Sequence, residues 1–320
     1  MNLPPDFIKT IQNVFGEEGR EWLTQLPDLI AYASERWGLT EIQAVPNLSY
    51  NFVAFAKQEN ITLSEARGLT PSSVTSQDVV LKIGVPNNEL KSEMAALGLF
   101  NGNGACQILD CDEERGFFLL ERLKPVTMLS ELQDDDERTH IAAEVMQKLW
   151  RETPAAKDGG LSSQFIKLSD WFDGLKKIRP HFNGGMGPFP RELLERVESF
   201  LPELFVDKNI KLMHGDFHHF NILNSERGWL AIDPKGVIGP AGYEIGPLML
   251  NPMGSHTDWS RLKLQTERRI RILSERLGWE REKIIKWAAA HAVLSAWWSI
   301  EDGMGEEYSI QCAKIFSKLK

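Results

Sequence analysis

Apolar positions along the chain change period four times, and those changes outline its parts. Trp22, Leu23, Leu26, Leu29, Ile30 and Tyr32 fall on overlapping helical faces, and Gly38 is placed to stop them. The first forty residues therefore read as mostly helical. Residues 50–56 and 79–83 mix aromatic and β-branched side chains and predict strands. Over 88–100 the helical period returns, with Leu90, Met94 and Leu97 on one face. Residues 105–110 and 117–122 predict a strand pair around the charged turn CDEERG. Beyond Lys124-Pro125 the helical period dominates, over 134–150, 261–277 and 284–300. The acidic start of 134–150 favours the positive end of a helix dipole. HFNGGMGPFP interrupts as a loop rich in turn formers. The expectation is an α+β chain: a small mixed part, then a larger helical part, with a boundary near 122–125.

Composition narrows the function classes. The chain has 320 residues, 42% of them hydrophobic and 25% charged, enough apolar material for a sizeable core. A formal net charge of −9 argues against broad electrostatic binding to nucleic acid or an anionic membrane. No apolar run reaches membrane-spanning length, and the N-terminus lacks the basic-then-apolar order of a signal peptide. Cys106, Cys111 and Cys312 form no disulfide framework, and C-x4-C lacks a second ligand pair for zinc. All three read as small buried hydrophobes in a cytoplasmic protein.

The chemistry concentrates in residues 211–235, KLMHGDFHHFNILNSERGWLAIDPK. Asn221-Ile222-Leu223 and Trp229 to Ile232 predict a hairpin around Ser225-Glu226-Arg227-Gly228. Asn221 then stands at one strand start and Asp233 at the other strand end. Two carboxylates and an amide oxygen are what phosphoryl transfer needs. One carboxylate orients an alcohol and takes its proton, while hard oxygens hold Mg2+ against nucleotide phosphates. Asp216 is assigned to the alcohol, Asn221 and Asp233 to the metal, and His214 to bracing the loop. His218 and His219 are adjacent, so their side chains diverge and make a poor zinc pair.

HGDFHHFN resembles the catalytic loop of the aminoglycoside phosphotransferases, and AIDPKG resembles their metal-binding segment. The combination is most similar to the streptomycin 6-phosphotransferase, or aminoglycoside/hydroxyurea kinase, branch. The resemblance implies a protein-kinase-like bilobal fold. An N-terminal helical segment and nucleotide-binding N-lobe would span 1–123, and a helical C-lobe with catalytic loop and acceptor site 124–320. It implies ATP and Mg2+ as cofactors, with Asp216 as the catalytic aspartate and Asn221 and Asp233 as metal ligands. Lys82, in VVLKIG, matches the phosphate-binding lysine, and Glu93, in SEMAAL, the glutamate that orients it. Glu89 is the competitor one turn earlier. Glu121 and Leu123 fall at the hinge that offers backbone groups to adenine. Ser49 lies where a glycine-rich loop would cover the phosphates, but residues 46–51 contain no glycine. No G-x4-G-K-[ST] sequence occurs, which argues against a P-loop enzyme.

The implied activity is transfer of the γ-phosphoryl group of ATP to a hydroxyl of an aminoglycoside-like small molecule, with the streptomycin 6-hydroxyl as the specific candidate. A cationic acceptor suits an acidic pocket, for which Glu244, Glu301, Asp302, Glu306 and Glu307 are candidates. Trp297 and Trp298 are candidate wall residues, although helical spacing also fits core packing. The alternatives are a kinase of another metabolite, an amino alcohol or sugar, and an inactive nucleotide-binding interaction protein.

Overall fold

The computed structural model describes residues 3–62, 73–153, 162–253 and 258–319. They divide into two compact units, 1–94 with 106–122, and 95–105 with 123–320.

The smaller unit opens with helix α1 (Pro5–Trp37), interrupted at Gly16 and closed by Gly38 in the left-handed region. Strands β1 (Leu39–Ala44), β2 (Phe52–Thr62) and β3 (Ser73–Ile83) follow. After helix α2 (Asn88–Phe100) come β4 (Ile108–Asp112) and β5 (Phe117–Glu121). The five strands form one antiparallel sheet in the order β1-β2-β3-β5-β4. Side chains alternate across a strand, so Phe52, Ala54 and Ala56, with Val79, Leu81 and Ile83, share one face. That face is buried in a cluster with Phe7, Ile11, Trp22, Leu26, Ile30 and Ala33 of α1. Lys82 lies between Leu81 and Ile83 and therefore turns to the opposite face. Its ladder neighbours there are Val53 and Phe118.

The larger unit contains α3 (Asp135–Leu149), β6 (Arg151–Glu152), β7 (Ile166–Lys167), α4 (Leu168–Asp173), α5 (Ile178–His181) and α6 (Arg191–Phe205). Next come β8 (Ile210–Met213), β9 (Ile222–Ser225), β10 (Gly228–Ala231) and β11 (Val237–Pro240). Helices α7 (Ile245–Leu250), α8 (Trp259–Leu277), α9 (Arg281–Glu301) and α10 (Glu307–Phe316) complete it. Helix α9 is buried nearly all round, its small Ala288, Ala289, Ala290, Ala292 and Ala296 admitting close neighbours. Arg269 of α8 makes paired bonds to Asp135 of α3 (2.7 and 2.9 Å) and also donates to the carbonyls of Leu248 and Asn251. Burial would raise the Asp135 carboxyl, but its bonds to Arg269 prevail and hold it down to about 2.

The small strands of this unit were only partly visible in the chain pattern. The β9–β10 hairpin lies where it was expected, with Ser225 paired to Gly228. The four-stranded sheet β6-β8-β11-β7 was not foreseen, because strands of two to four residues are too short to establish a period. Of the cysteines, Cys106 and Cys312 are buried as expected, but Cys111 is only half-buried, on strand β4 facing Phe118 of β5.

Candidate active site

The catalytic loop is held by its main chain. Strand β8 delivers His214, Gly215 and Asp216, and the backbone N–H groups of His214 and Gly215 donate to Glu244 Oε2 and Oε1 at 2.8 and 2.9 Å. Burial pushes the Glu244 carboxyl up to about 7, against the pull of those two N–H groups toward the charged form. Gly215 sits at φ +86°, and a Cβ there would meet Val237 Cγ2 at 2.3 Å. No other residue type fits that turn.

The partners of His214 fix its tautomer. Nε2 lies 2.7 Å from the carbonyl of Ile232, which only accepts, so Nε2 carries the proton. Nδ1 is then an acceptor, and the N–H of Asp216 donates to it at 3.2 Å. Burial lowers His214 to about 4 and keeps this neutral arrangement. His214 is a brace between the loop and the strand after β10, as its place in the sequence suggested.

Asp216 follows, with 42% of its side chain exposed. Burial of the loop would raise its carboxyl, but His218, His214 and Lys235 outweigh that and lower it. It is an anion at neutral pH. His218 Nε2 stands 3.5 Å from Asp216 Oδ1, while His218 Nδ1 accepts from the N–H of Phe220. His219 turns the other way into the core, where Arg269 approaches its Nε2 at 3.5 Å. The two histidines diverge, and among the described residues no group of three His, Cys, Asp or Glu side chains is arranged to hold a metal.

The hairpin brings Asn221 and Asp233 to one end. Ile222 of β9 pairs with Ala231 of β10, and one step further the N–H of Ile232 donates to the Asn221 carbonyl at 2.9 Å. Asp233 is the next residue, exposed, with φ 57° in the left-handed region where a non-glycine side chain is strained. Asn221 spends its amide nitrogen on the Asp216 carbonyl at 3.0 Å, so the amide oxygen is the atom a metal would use. An amide oxygen and a carboxylate at one hairpin end are a fitting donor set for Mg2+, which binds few protein oxygens and completes its shell from phosphate and water.

In the smaller unit, Lys82 Nζ donates to Glu93 Oε1 at 2.5 Å, with side chains only 4% and 9% exposed. The Lys82 ammonium also stands 5.5 Å from the Phe118 ring centroid. Glu89, the competitor, is exposed near the start of α2. Ser49 is exposed in the turn between β1 and β2. Glu121 ends β5, its N–H donating to the Gln107 carbonyl at 3.0 Å and its carboxylate accepting from the Gln107 N–H at 2.7 Å. Leu123, in the larger unit, is buried.

Sequence reasoning noticed Tyr243 only as the aromatic beside Glu244 and missed His291. Both are buried, and the charge of Asp216 bears on the ionisation of each. The Tyr243 hydroxyl is 3.1 Å from His291 Nδ1. Close approach of α9 is the reason: a Cβ on Gly246 would meet His291 Cβ at 2.3 Å, so only glycine admits it. The glycines of GPAGYEIG were the available signal. Of the tryptophan pair, Trp297 is core, 1% exposed, whereas Trp298 is half-buried. Glu301 pairs with Lys177 at 3.2 Å.

A lysine–glutamate pair beside a five-stranded sheet, and an aspartate loop followed by an asparagine–aspartate hairpin in a helical unit, define a phosphotransferase of the protein-kinase-like class. Solved structures share the fold: choline kinase LicA from Streptococcus pneumoniae superposes with a TM-score of 0.59 at 15% identity, covering 92% of this chain and 100% of that one. The chain belongs to the aminoglycoside/hydroxyurea antibiotic resistance kinase family, whose pattern matches residues 66–303. It is 28% identical over 311 residues to streptomycin 6-kinase of Streptomyces glaucescens, covering 95% of this chain and 92% of that one. It is 29% identical over 306 residues to hydroxyurea phosphotransferase of Kitasatospora aureofaciens, covering 95% and 82%. The chain is thus a small-molecule kinase, transferring a phosphoryl group from ATP to a hydroxyl acceptor. No helix among the described residues is long and apolar enough to cross a membrane.

Proposed function

We propose that the acceptor is an aminoglycoside-like molecule, with the streptomycin 6-hydroxyl as the first candidate, and that Asp216 receives it. The observation that carries this reading is the loop itself: Glu244 grips the backbone on one side of Asp216, and Asn221 bonds its carbonyl on the other. A carboxylate fixed at both flanks costs little reorganisation when it orients an alcohol. Asp216 accepts the hydroxyl hydrogen as the oxygen attacks the γ-phosphorus, and takes the proton as the new P–O bond forms and the bond to the β-phosphate oxygen breaks, releasing ADP. His218 steadies its Oδ1. Asn221 and Asp233 would hold Mg2+, which when bound neutralises charge on the phosphates. Lys82, oriented by Glu93, meets the nucleotide phosphates. The Ser49 turn covers them through hydroxyl and backbone N–H groups. The adenine ring takes backbone contacts at Glu121 and Leu123; the Glu121 N–H is committed to Gln107, so its carbonyl is the group to serve. The negative net charge supports a cationic acceptor and a nucleic-acid-independent role, and the free cysteines suit the reducing cytoplasm.

The test is product formation by the purified chain with ATP and Mg2+ over streptomycin, other aminoglycosides, hydroxyurea and simple amino alcohols, with phosphate position determined. Streptomycin 6-phosphate, lost by at least about 1,000-fold in Asp216→Ala, is expected. Unchanged turnover in that variant would defeat the mechanism. Transfer to hydroxyurea or an amino alcohol alone would replace the acceptor while retaining the residue roles.

A further inference from the structure

Beside the catalytic aspartate, the larger unit keeps two tryptophans out of its core. Trp171 of α4 and Trp298 of α9 meet edge to face, with ring centroids 5.3 Å apart at 86°. Trp171 also lies 5.8 Å from Tyr243, and Trp298 lies 6.2 Å from His291. Tyr243 bonds His291 and immediately precedes Glu244, whose carboxylate holds the N–H groups of the two residues before Asp216. The four rings thus form one corner next to the proposed general base. Helix α9 supplies its two members seven residues apart, two turns along one face.

Burial separates this pair from Trp287 and Trp297, the tryptophans of the neighbouring core. The indole N–H groups of Trp287 and Trp297 are sealed from solvent without a partner among the described residues, whereas those of Trp171 and Trp298 are not sealed in this way. Both side chains are half-buried. Two large aromatic surfaces with exposed donors beside a reaction centre are more than core filling requires.

The charges around the corner select the ligand. Burial keeps the Tyr243 phenol protonated and holds His291 down to about 3, so both are neutral. The Tyr243 hydroxyl and His291 Nδ1 share a hydrogen bond of 3.1 Å, which satisfies both without adding charge. Asp216 is the anion, and Asp170, exposed next to Trp171, adds a second carboxylate. Indole faces attract cations, and a neighbouring anion strengthens that preference.

We propose that Trp171 and Trp298 form an aromatic platform that holds the cationic body of the acceptor, a guanidinium- or ammonium-bearing ring, while its hydroxyl reaches Asp216. The proposal rests on Asp216 being the acceptor site and goes beyond it by separating acceptor classes. A cationic ring gains from the platform. A small neutral hydroxyl compound does not.

The experiment is calorimetric titration of the full chain with streptomycin as the cationic probe, in the wild type and in Trp171→Leu, Trp298→Leu and the corresponding Phe variants, with ATP binding measured alongside. Each Leu variant is expected to weaken streptomycin binding about 10- to 30-fold and each Phe variant no more than about 3-fold, with ATP affinity unchanged. Should a Leu variant fail to fold, the indole N–H resonances of the wild type provide the second measurement. Of its 10 tryptophans, Trp171 and Trp298, assigned through the Phe variants, are expected to shift on adding streptomycin. Unchanged affinity in both Leu variants, parallel weakening of ATP, or no streptomycin binding by the wild type at millimolar concentration overturns the platform. None of those results touches the role of Asp216: continued Asp216-dependent transfer to hydroxyurea would leave the kinase mechanism standing without it. Turnover surviving Asp216→Ala sinks the mechanism whatever the tryptophans do.

Discussion

The two units position their key groups by opposite means. In the smaller one, Lys82 and Glu93 are charged side chains buried against each other, each depending on the other's charge. In the larger one, the Glu244, Asn221 and His214 side chains all bond to the main chain of the loop, so Asp216 is placed through its backbone and its carboxylate needs no buried counter-charge. The first device is sensitive to either partner; the second is sensitive chiefly to Glu244. An ammonium that must serve moving phosphates benefits from an adjustable side-chain partner. A carboxylate that must meet one hydroxyl benefits from a fixed main chain.

Three substitutions sharpen that contrast. The largest effect is expected from Lys82→Met, about 100- to 1,000-fold in kcat/KM as a phosphate contact is lost. It also strands Glu93, so the double variant Lys82→Met/Glu93→Gln should recover thermal stability but not activity. Steady-state kinetics with melting curves checks both, and recovery of activity in the double variant would contradict the role of Lys82.

Glu244→Gln comes next. An amide cannot accept from both backbone donors as a carboxylate does, so about 1–3 kcal/mol of stability and about 10-fold or more in kcat should go, with KM for ATP little changed. The pH behaviour carries a sign. Glu244 ionises near 4.5 when unfolded and at about 7 when folded, so its contribution is fully present below 4.5 and lost as pH rises through about 7. Melting temperature against pH should be flatter between those values in the variant; an unaltered slope would place the ionisation elsewhere. Ser49→Ala is the smallest change, about 3-fold in KM for ATP, since the turn keeps its backbone N–H groups. A loss as large as that of Lys82→Met would make the serine hydroxyl, not the main chain, the phosphate contact.

Sequence alone disclosed the elements whose spacing is local. HGDFHHFN lies between two strands, and the hairpin register brings Asn221 and Asp233 to one end, so that half of the site was legible. The choice between Glu89 and Glu93 needed the side-chain contact that the structure supplies. In the structure it is Glu93 whose carboxylate meets Lys82. What remained hidden depends on long-range packing. Glu244 could be read equally as acceptor ligand or loop support, because only the fold shows where its two oxygens point. Tyr243, His291 and Trp171 come from separate elements that meet only once α9 presses onto Gly246. The short sheet around β8 and β11 escaped because two to four residues carry no period.

The main-chain grip of Glu244 has an evolutionary consequence. Because the loop is tied down through groups that every residue possesses, the walls contributed by α4 and α9 can accumulate substitutions without displacing the reacting carboxylate. Acceptor preference can therefore drift while phosphoryl transfer persists, and a library randomised at Trp171 and Trp298 should sample new acceptors from a chemically competent starting point.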